Sequence, residues 1–163
     1  MNNKQIILGI DPGTTATGFA FLSVDKKKTV PIDFGVIKID SKTILQKRIS
    51  EIYTRIKLLI EKYNPDEASI ETIFYAKNIR SILSLGEARG VVILALAEKN
   101  IPIFEYSPRE IKKSVVGNGN ASKQQIQYMV KTILNLKETP TSFDATDALA
   151  IALCHHQKNK SVI

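Results

Sequence analysis

The sequence predicts an α/β domain built on one mixed, five-stranded sheet that is flanked by helices. Three observations support this fold class. Three strand-like segments open the chain, two further strands then alternate with amphipathic helices, and no repeat, low-complexity tract or long linker interrupts the order. A chain of 163 residues with 44% apolar side chains can bury one core. We therefore expect a single domain over residues 1–157 and a polar tail over residues 158–163.

The first half of the chain predicts three strands and a helix. The strands cover residues 4–11, 17–24 and 30–39. Three successive strands favour an antiparallel start to the sheet. A turn with the sequence Pro-Gly-Thr-Thr follows the first strand, and apolar residues at helical spacing over 45–59 then predict the first helix.

The second half of the chain alternates strands with helices. A strand through Ala68 and Ile70 leads to a helix over 78–99, and "IPIFEY" forms the fifth strand. The sequence "SPRE" then predicts a helix that begins with a capping box, and "GNGNASKQ" is a loop that leads into another capped helix. A last helix is expected over 142–155.

Charge and cysteine content narrow the classes of function. The chain carries 23 basic against 16 acidic residues, a formal net charge of +7, which is typical of a domain that binds nucleic acid. The alternative is a soluble, lysine-rich protein without such a partner. Its single cysteine, Cys154, excludes a disulfide framework and a zinc cluster and fits a reducing cytoplasm. No apolar stretch reaches the roughly 18 residues of a membrane span, and no signal peptide is expected.

Four acidic residues lie where the predicted fold has little structural use for them. Asp11 ends the first strand and Glu71 ends the fourth. If these strands are neighbours, their ends would lie about 4.8 Å apart, and side chains that point the same way would meet at one sheet edge. Asp144 and Asp147 are three residues apart on the last helix and share a face. The small and apolar residues around this pair predict that the helix packs closely on another part of the protein, so that its acids face a protein surface.

Each acid taken alone also has an ordinary structural explanation. Asp144 could form a capping box with Thr141, and Asp147 could favour the helix dipole. Glu71 could pair with a lysine, and Asp11 could brace its turn. Four converging carboxylates would, however, repel one another unless cations neutralised them. Ligands that are all oxygen suit Mg²⁺ or Mn²⁺, and two such ions can support phosphodiester hydrolysis, with Asp11 as the bridging ligand by conjecture.

The motifs together resemble the RuvC family of Holliday-junction resolvases. The resemblance runs from about residue 5 to residue 156 in family order, on the segments "ILGIDPGTTATGFA", "IETIFYAKN", "LGEARGV", "KKSVVGNGNASKQQIQYMV" and "DATDALAIA". It implies a ribonuclease-H-like fold and a Mg²⁺-dependent homodimer that nicks four-way DNA junctions in pairs during recombination and repair. It also implies a bacterial cytoplasmic protein that could work with a RuvAB-type branch-migration complex. The four catalytic, metal-binding acids of the family fall on Asp11, Glu71, Asp144 and Asp147.

The resemblance also marks residues that would contact DNA. They are Phe74, Tyr75, Lys77, Asn78, Arg80, Lys112, Lys113 and Lys123. Lys112 and Lys123 match lysines that the family places near the scissile phosphate, although Lys113 leaves the first assignment uncertain by one position. Taken alone, both could be ordinary surface lysines. Phe74 matches an aromatic residue near the junction centre, where a ring can stack on an unpaired base; without the resemblance, packing beneath the loop would be preferred.

Two glycines and two histidines complete the residues of interest. Gly86 and Gly90 lie four apart on the second helix, which contributes to the dimer contact in the family. The alternative is close packing of this helix on its own sheet. His155 and His156 end the last helix and receive no catalytic role. One of them could cap helix carbonyls or approach the outer shell of the metal site, but most such histidines lie at the surface.

Three other functions are alternatives to a junction nuclease. "GIDPGTT" resembles the first phosphate turn of sugar kinases and actin-like ATPases, but these need two such domains and the chain shows no second phosphate turn. A ribonuclease-H-like nuclease acting on RNA or an RNA–DNA hybrid would use the same acids, although "FYAKN" and "GNGNASK" argue against it. A binding module with an inactive site would be expected to lack at least one of the four acids.

Overall fold

The computed structural model describes residues 4–25, 28–73 and 79–160, and this part of the chain forms a five-stranded sheet with five helices. The strands are β1 (Gln5–Asp11), β2 (Ala16–Val24), β3 (Thr29–Lys38), β4 (Glu67–Glu71) and β5 (Ile103–Tyr106). The helices are α1 (Leu45–Tyr63), α2 (Ile79–Ala97), α3 (Pro108–Val116), α4 (Lys123–Ile133) and α5 (Phe143–Lys160). The predicted α/β class and the number of strands are confirmed.

The sheet is mixed, as the order of elements predicts. Its strand order is β3-β2-β1-β4-β5. β1 pairs antiparallel with β2, and β2 pairs antiparallel with β3, whereas β4 runs parallel to both β1 and β5. The expected neighbour relation of the first and fourth strands is therefore present, and their carboxyl ends meet at one edge.

Successive side chains of the central strand, β1, pack alternately into two core layers on opposite faces of the sheet. Ile7 points into a layer that is closed by α3, α4 and α5, while Leu8 and Ile10 point into the opposite layer beneath α1 and α2. Each of these three side chains is at most 1% exposed. This period-two alternation is what a strand covered by helices on both faces requires.

Two glycines allow α5 to lie directly on the sheet. A Cβ atom added at Gly9 would overlap the carbonyl oxygen of Ala148, and one added at Gly18 would overlap the carbonyl oxygen of Asp144. Gly18 is the register partner of Asp11 across the β1–β2 pair. The close packing predicted for the last helix is thus present, and it fixes the start of α5 next to the end of β1.

The last helix extends further than the sequence predicts. It continues to Lys160, past the expected end at residue 155, so the start of the predicted polar tail is helical. The Lys158 ammonium lies 2.6 Å from the Glu110 carboxylate, and the Asn159 amide donates to Glu67 at 3.2 Å. These contacts with α3 and β4 hold the additional turn against the domain.

None of the helices in the described ranges combines the length and the apolar character that crossing a membrane demands.

Candidate active site

A folded turn holds the chain just after Asp11. The Thr17 hydroxyl, which is fully buried, donates to the Gly13 carbonyl at 2.7 Å and accepts from the Gly13 N–H at 3.3 Å. The Arg48 guanidinium of α1 donates to the Thr14 hydroxyl at 3.1 Å. These bonds explain Thr14 and Thr17 of "DPGTTAT", because they fold the turn back and fix where β1 ends.

The carboxyl ends of β1 and β4 bring Asp11 and Glu71 to the same edge of the sheet. Ile10 is paired with Ile70 in the parallel register, and each acid is the next residue of its strand. Both side chains are partly buried. The sequence-based expectation for this pair is therefore met by the strand register itself.

The first two turns of α5 supply the other two acids. The Ser142 hydroxyl accepts from the Asp144 N–H and donates to the Asp144 carboxylate, both at 3.2 Å. The alternative that Asp144 pairs with Thr141 at the start of this helix is therefore wrong, because Ser142 is the residue that makes these hydrogen bonds with Asp144. Asp147 follows one turn later, with 26% of its side-chain surface accessible.

Three of the four acids line one cavity of about 360 Å³ together with two lysines. The acids are Asp11, Glu71 and Asp147, and the lysines are Lys112 of α3 and Lys123 of α4. The remaining wall is apolar and consists of Pro108, Ile111, Ile126 and Ile151. Sequence reasoning missed this wall, because its members follow the ordinary periodicity of core residues.

Two predicted members lie beside the cavity and do not line it. Asp144 is absent from the lining, but its charge still acts on Asp11 and Asp147. Lys113 is exposed on the outer side of α3, whereas Lys112 faces the acids. Of these two neighbouring lysines, Lys112 is therefore the one that lies at the acidic cavity.

The acids raise one another's pKa values. Burial, followed by the charges of Asp147, Glu71 and Asp144, raises the pKa of Asp11 from 3.8 to about 8, against a lowering influence of Lys123. Burial and Asp147 raise the pKa of Glu71 from 4.5 to about 7, although Lys112 and Lys123 oppose the change. Burial also raises the pKa of Asp147. Such mutual destabilisation of charge is typical of a functional site.

Lys123 is held between an acid and an aromatic ring. Its ammonium lies 3.6 Å from the Asp147 carboxylate and 5.7 Å from the centre of the Phe143 ring. The side chain remains 61% exposed, so it can also reach a ligand at the cavity mouth. Phe143 is a further exposed residue beside the site that the sequence analysis did not identify.

The donor set fits a hard divalent cation, although the carboxylates do not form a finished ligand set. Within the described residues, no three His, Cys, Asp or Glu side chains are arranged to hold a metal ion. Carboxylates that repel one another are expected to stand apart without a cation. The donors at the cavity are all carboxylate oxygens, which Mg²⁺ and Mn²⁺ prefer, and the raised pKa values fit a site where a cation would offset the carboxylate charges.

Several predicted DNA contacts cannot be compared with this geometry. Phe74, Tyr75, Lys77 and Asn78 lie outside the described residues. Arg80 is exposed in the first turn of α2.

The expectation that the terminal histidines lie at the surface is wrong for His155. This side chain is fully buried on α5. Its Nδ1 lies 2.7 Å from the Tyr106 hydroxyl and its Nε2 lies 2.7 Å from the Glu67 carboxylate. His156 is half-buried, with its Nε2 3.0 Å from the Thr29 hydroxyl. Both histidines therefore have structural hydrogen-bond partners.

The fold and the acidic cavity define a ribonuclease-H-like nuclease. The family model described as "Crossover junction endodeoxyribonuclease RuvC" matches residues 7–155. A crossover junction endodeoxyribonuclease RuvC of Cytophaga hutchinsonii is 47% identical over 93% of this chain and 76% of its own, and one of Protochlamydia amoebophila is 45% identical over 96% and 94%. The chain belongs to the RuvC family of crossover junction endodeoxyribonucleases.

A solved structure agrees with this assignment over nearly the whole chain. It is that of Thermus thermophilus RuvC in complex with a Holliday-junction substrate, with a TM-score of 0.91 and 30% sequence identity. The likeness covers 97% of this chain and 96% of that one. The resemblance predicted from the motifs is therefore confirmed, and so is the ribonuclease-H-like fold.

Proposed function

We propose that this chain resolves four-way DNA junctions by paired, symmetric nicks during homologous recombination and repair. Family membership makes it a crossover junction endodeoxyribonuclease. The single observation that carries the proposal is the cavity where acids from β1, β4 and α5 face lysines from α3 and α4. The acids can bind cations, and the lysines can bind the phosphate that those cations contact.

The acids are proposed as ligands of two Mg²⁺ ions, for which Mn²⁺ could substitute. Asp11, Glu71 and Asp147 would hold them from inside the cavity, and Asp144 would complete the set from its rim. When bound, such ions supply an activated water and stabilise the leaving oxygen of a phosphodiester. Lys112 and Lys123 would attract the scissile phosphate and offset the charge that develops on its oxygens. The apolar wall lowers the local dielectric constant and strengthens both interactions.

A cleavage assay distinguishes this proposal from the other nuclease class and from an inactive binding module. The substrates are a mobile four-way DNA junction, a plain DNA duplex and an RNA–DNA hybrid, each with and without Mg²⁺. We expect cutting of the junction alone, only with Mg²⁺, at symmetric positions, with 5′-phosphate ends. Preferred cutting of the hybrid would indicate the other nuclease class, and tight junction binding without cutting would indicate the inactive module.

We further propose that two copies of the chain associate through α2. Ile79, Leu83 and Leu94 are 75%, 62% and 51% exposed and lie in one stripe with Gly86 and Gly90. A Cβ atom added at Gly90 would meet no atom within 4 Å, so this glycine does not serve packing on its own sheet. An apolar stripe with small residues at its centre suits a twofold contact, and two identical sites suit a near-twofold junction.

Placing a charge in this stripe tests the dimer. Leu83→Arg is expected to yield monomers that still bind the junction, and paired nicks should become single, uncoordinated nicks. The matched control is Leu58→Arg on α1, where the leucine is 59% exposed but lies outside the stripe. Analytical ultracentrifugation measures the oligomeric state, and a supercoiled cruciform plasmid separates single from paired cuts. A Leu83→Arg protein that remains dimeric would contradict the proposed interface.

Two broader assignments complete the proposal. The chain is proposed to act in the bacterial cytoplasm, since the matched relatives come from bacteria. A RuvAB-type branch-migration complex is proposed as its partner, because it would bring junctions to the nuclease.

A further inference from the structure

Two additional clefts lie along the outside of α4, the helix that begins at the active site, and their described lining residues differ from those of the acidic cavity. Lys123 lines the acidic cavity and is also the first residue of this helix. A cleft of about 500 Å³ follows the exposed side of the helix past Tyr128 and Lys131. A third cleft, of about 650 Å³, lies between the end of the helix and the start of β3. The second and third clefts share Asn135 and Leu136, so they are neighbours, and the two together are called the α4 groove here.

The charge of the α4 groove has one sign. Lys28, Lys131 and Lys137 line it, and no described lining residue is acidic. Within the described part of the chain, none of these three lysines forms an ion pair with a carboxylate. Glu138 is exposed next to the groove but does not line it. Lysines without acidic partners along a groove are suited to a row of external anions.

The carbonyl end of α4 is closed, so it does not repel an anion in the groove. Asn135 has a left-handed backbone conformation, with φ of 49°. Its N–H donates to the Thr132 carbonyl at 3.2 Å, and the Leu136 N–H donates to the Lys131 carbonyl at 3.0 Å. Bonds of this kind satisfy the final carbonyls of a helix, which otherwise carry its partial negative charge.

The α4 groove is also fixed relative to the catalytic acids. The Gln127 amide donates to the Pro140 carbonyl at 2.8 Å, in the segment that leads into α5. Ile126 and Val130, on the inner side of α4, are buried in the same core layer as α5. A molecule lying in the groove would therefore keep a constant position relative to Asp147.

We propose that the α4 groove binds the sugar–phosphate backbone of the duplex arm that leaves the cut site. This inference rests on the proposed junction-cleaving function. The 11 residues of α4 span about 16 Å, which corresponds to roughly five base pairs of duplex beyond the cut. Lys131, Lys137 and Lys28 contact successive phosphates of this arm, and the exposed Tyr128 hydroxyl can donate to another. The groove thereby orients the strand whose phosphate enters the acidic cavity.

The first test removes the charge of the α4 groove without touching the active site. The triple variant Lys28→Ala, Lys131→Ala, Lys137→Ala is compared with Lys57→Ala, Lys62→Ala, Lys99→Ala, which loses the same charge on the α1–α2 side. We expect the groove variant to bind a four-way junction roughly tenfold more weakly or worse than the control variant. The slope of the logarithm of its binding constant against the logarithm of the salt concentration should become shallower by about 0.9 per lysine removed.

The second test locates the phosphates. Neutral methylphosphonates replace the phosphates about three to seven nucleotides from the cut on one arm. The unmodified protein should bind this junction more weakly than the ordinary junction. The groove variant should bind both junctions with the same, already reduced affinity. Equal binding by the two triple variants, or an equal methylphosphonate penalty for both, would overturn the groove assignment and would suit a partner other than DNA. Failure of the unmodified protein to cut any junction would instead overturn the proposed function.

Discussion

Asp11→Asn is expected to abolish most junction cleavage while leaving junction binding intact. The amide keeps the volume of the carboxylate but removes the charge at the innermost acid of the cavity, where cations would be held. We expect the cleavage rate to fall by about 10²–10³-fold, the loss typical of removing one group that stabilises transition-state charge. Single-turnover cleavage and direct binding of the same four-way junction measure the two effects separately.

A surface aspartate provides the control for this substitution. Asp40→Asn makes the same chemical change at an exposed position before α1, and cleavage should be unaffected. Asp11→Asn protein that cuts at the unmodified rate would remove Asp11 from the catalytic site.

The same Asp11→Asn variant should change how stability depends on pH in the absence of divalent cations. The pKa of Asp11 is raised from 3.8 to about 8 in the folded protein, so folding is favoured by the protonated carboxyl. This contribution is fully present below pH 3.8 and is lost as pH rises through about 8. The free energy of unfolding of the unmodified protein should therefore fall between pH 4 and pH 8 relative to that of the variant.

Chemical denaturation across this pH range, with and without Mg²⁺, measures the difference between the two proteins. Added Mg²⁺ should stabilise the unmodified protein more than the variant, because binding to the folded state alone raises its stability. Parallel pH profiles for the two proteins would show that Asp11 is not held in an unfavourable charged state.

Local sequence signals predicted the elements that position the site. The alternation of β1 and the acid at each strand end placed Asp11 and Glu71 together, since parallel neighbours end at the same edge. The predicted capping box at Ser107 is present, and Ser122 makes the same arrangement at the start of α4. These features depend on residues close in the chain, which is why they can be recognised without coordinates.

The remaining features depend on contacts between distant segments. Adjacent helical residues point about 100° apart, so only the packing of α3 against α5 decides that Lys112 faces the acids. His155 is buried because Tyr106 and Glu67, which are 49 and 88 positions away, meet its two ring nitrogens. A polar sequence at the end of a helix gives no sign of such partners.

The strongest structural constraint on the site is the contact between Gly18 and α5, and Gly18→Ala should break it. The added methyl group would overlap the carbonyl oxygen of Asp144, and this backbone atom cannot swing aside as a side chain could. The helix must therefore move away from the sheet. We expect a loss of about 1–3 kcal/mol in the free energy of unfolding. Junction cleavage should fall by about 10²-fold, because a shift of about 1 Å at reacting groups has that effect.

A second glycine separates this overlap from the general effect of adding a methyl group. Gly90→Ala adds the same atom on α2, where it meets nothing within 4 Å. Alanine favours a helix over glycine by about 1 kcal/mol, so this variant should be equally or more stable. Urea unfolding of both variants in the Leu83→Arg background removes any contribution from the proposed dimer contact. If Gly18→Ala were as stable and as active as Gly90→Ala, α5 could not rest directly on β2, and Asp144 and Asp147 would have to reach the site from another helix position.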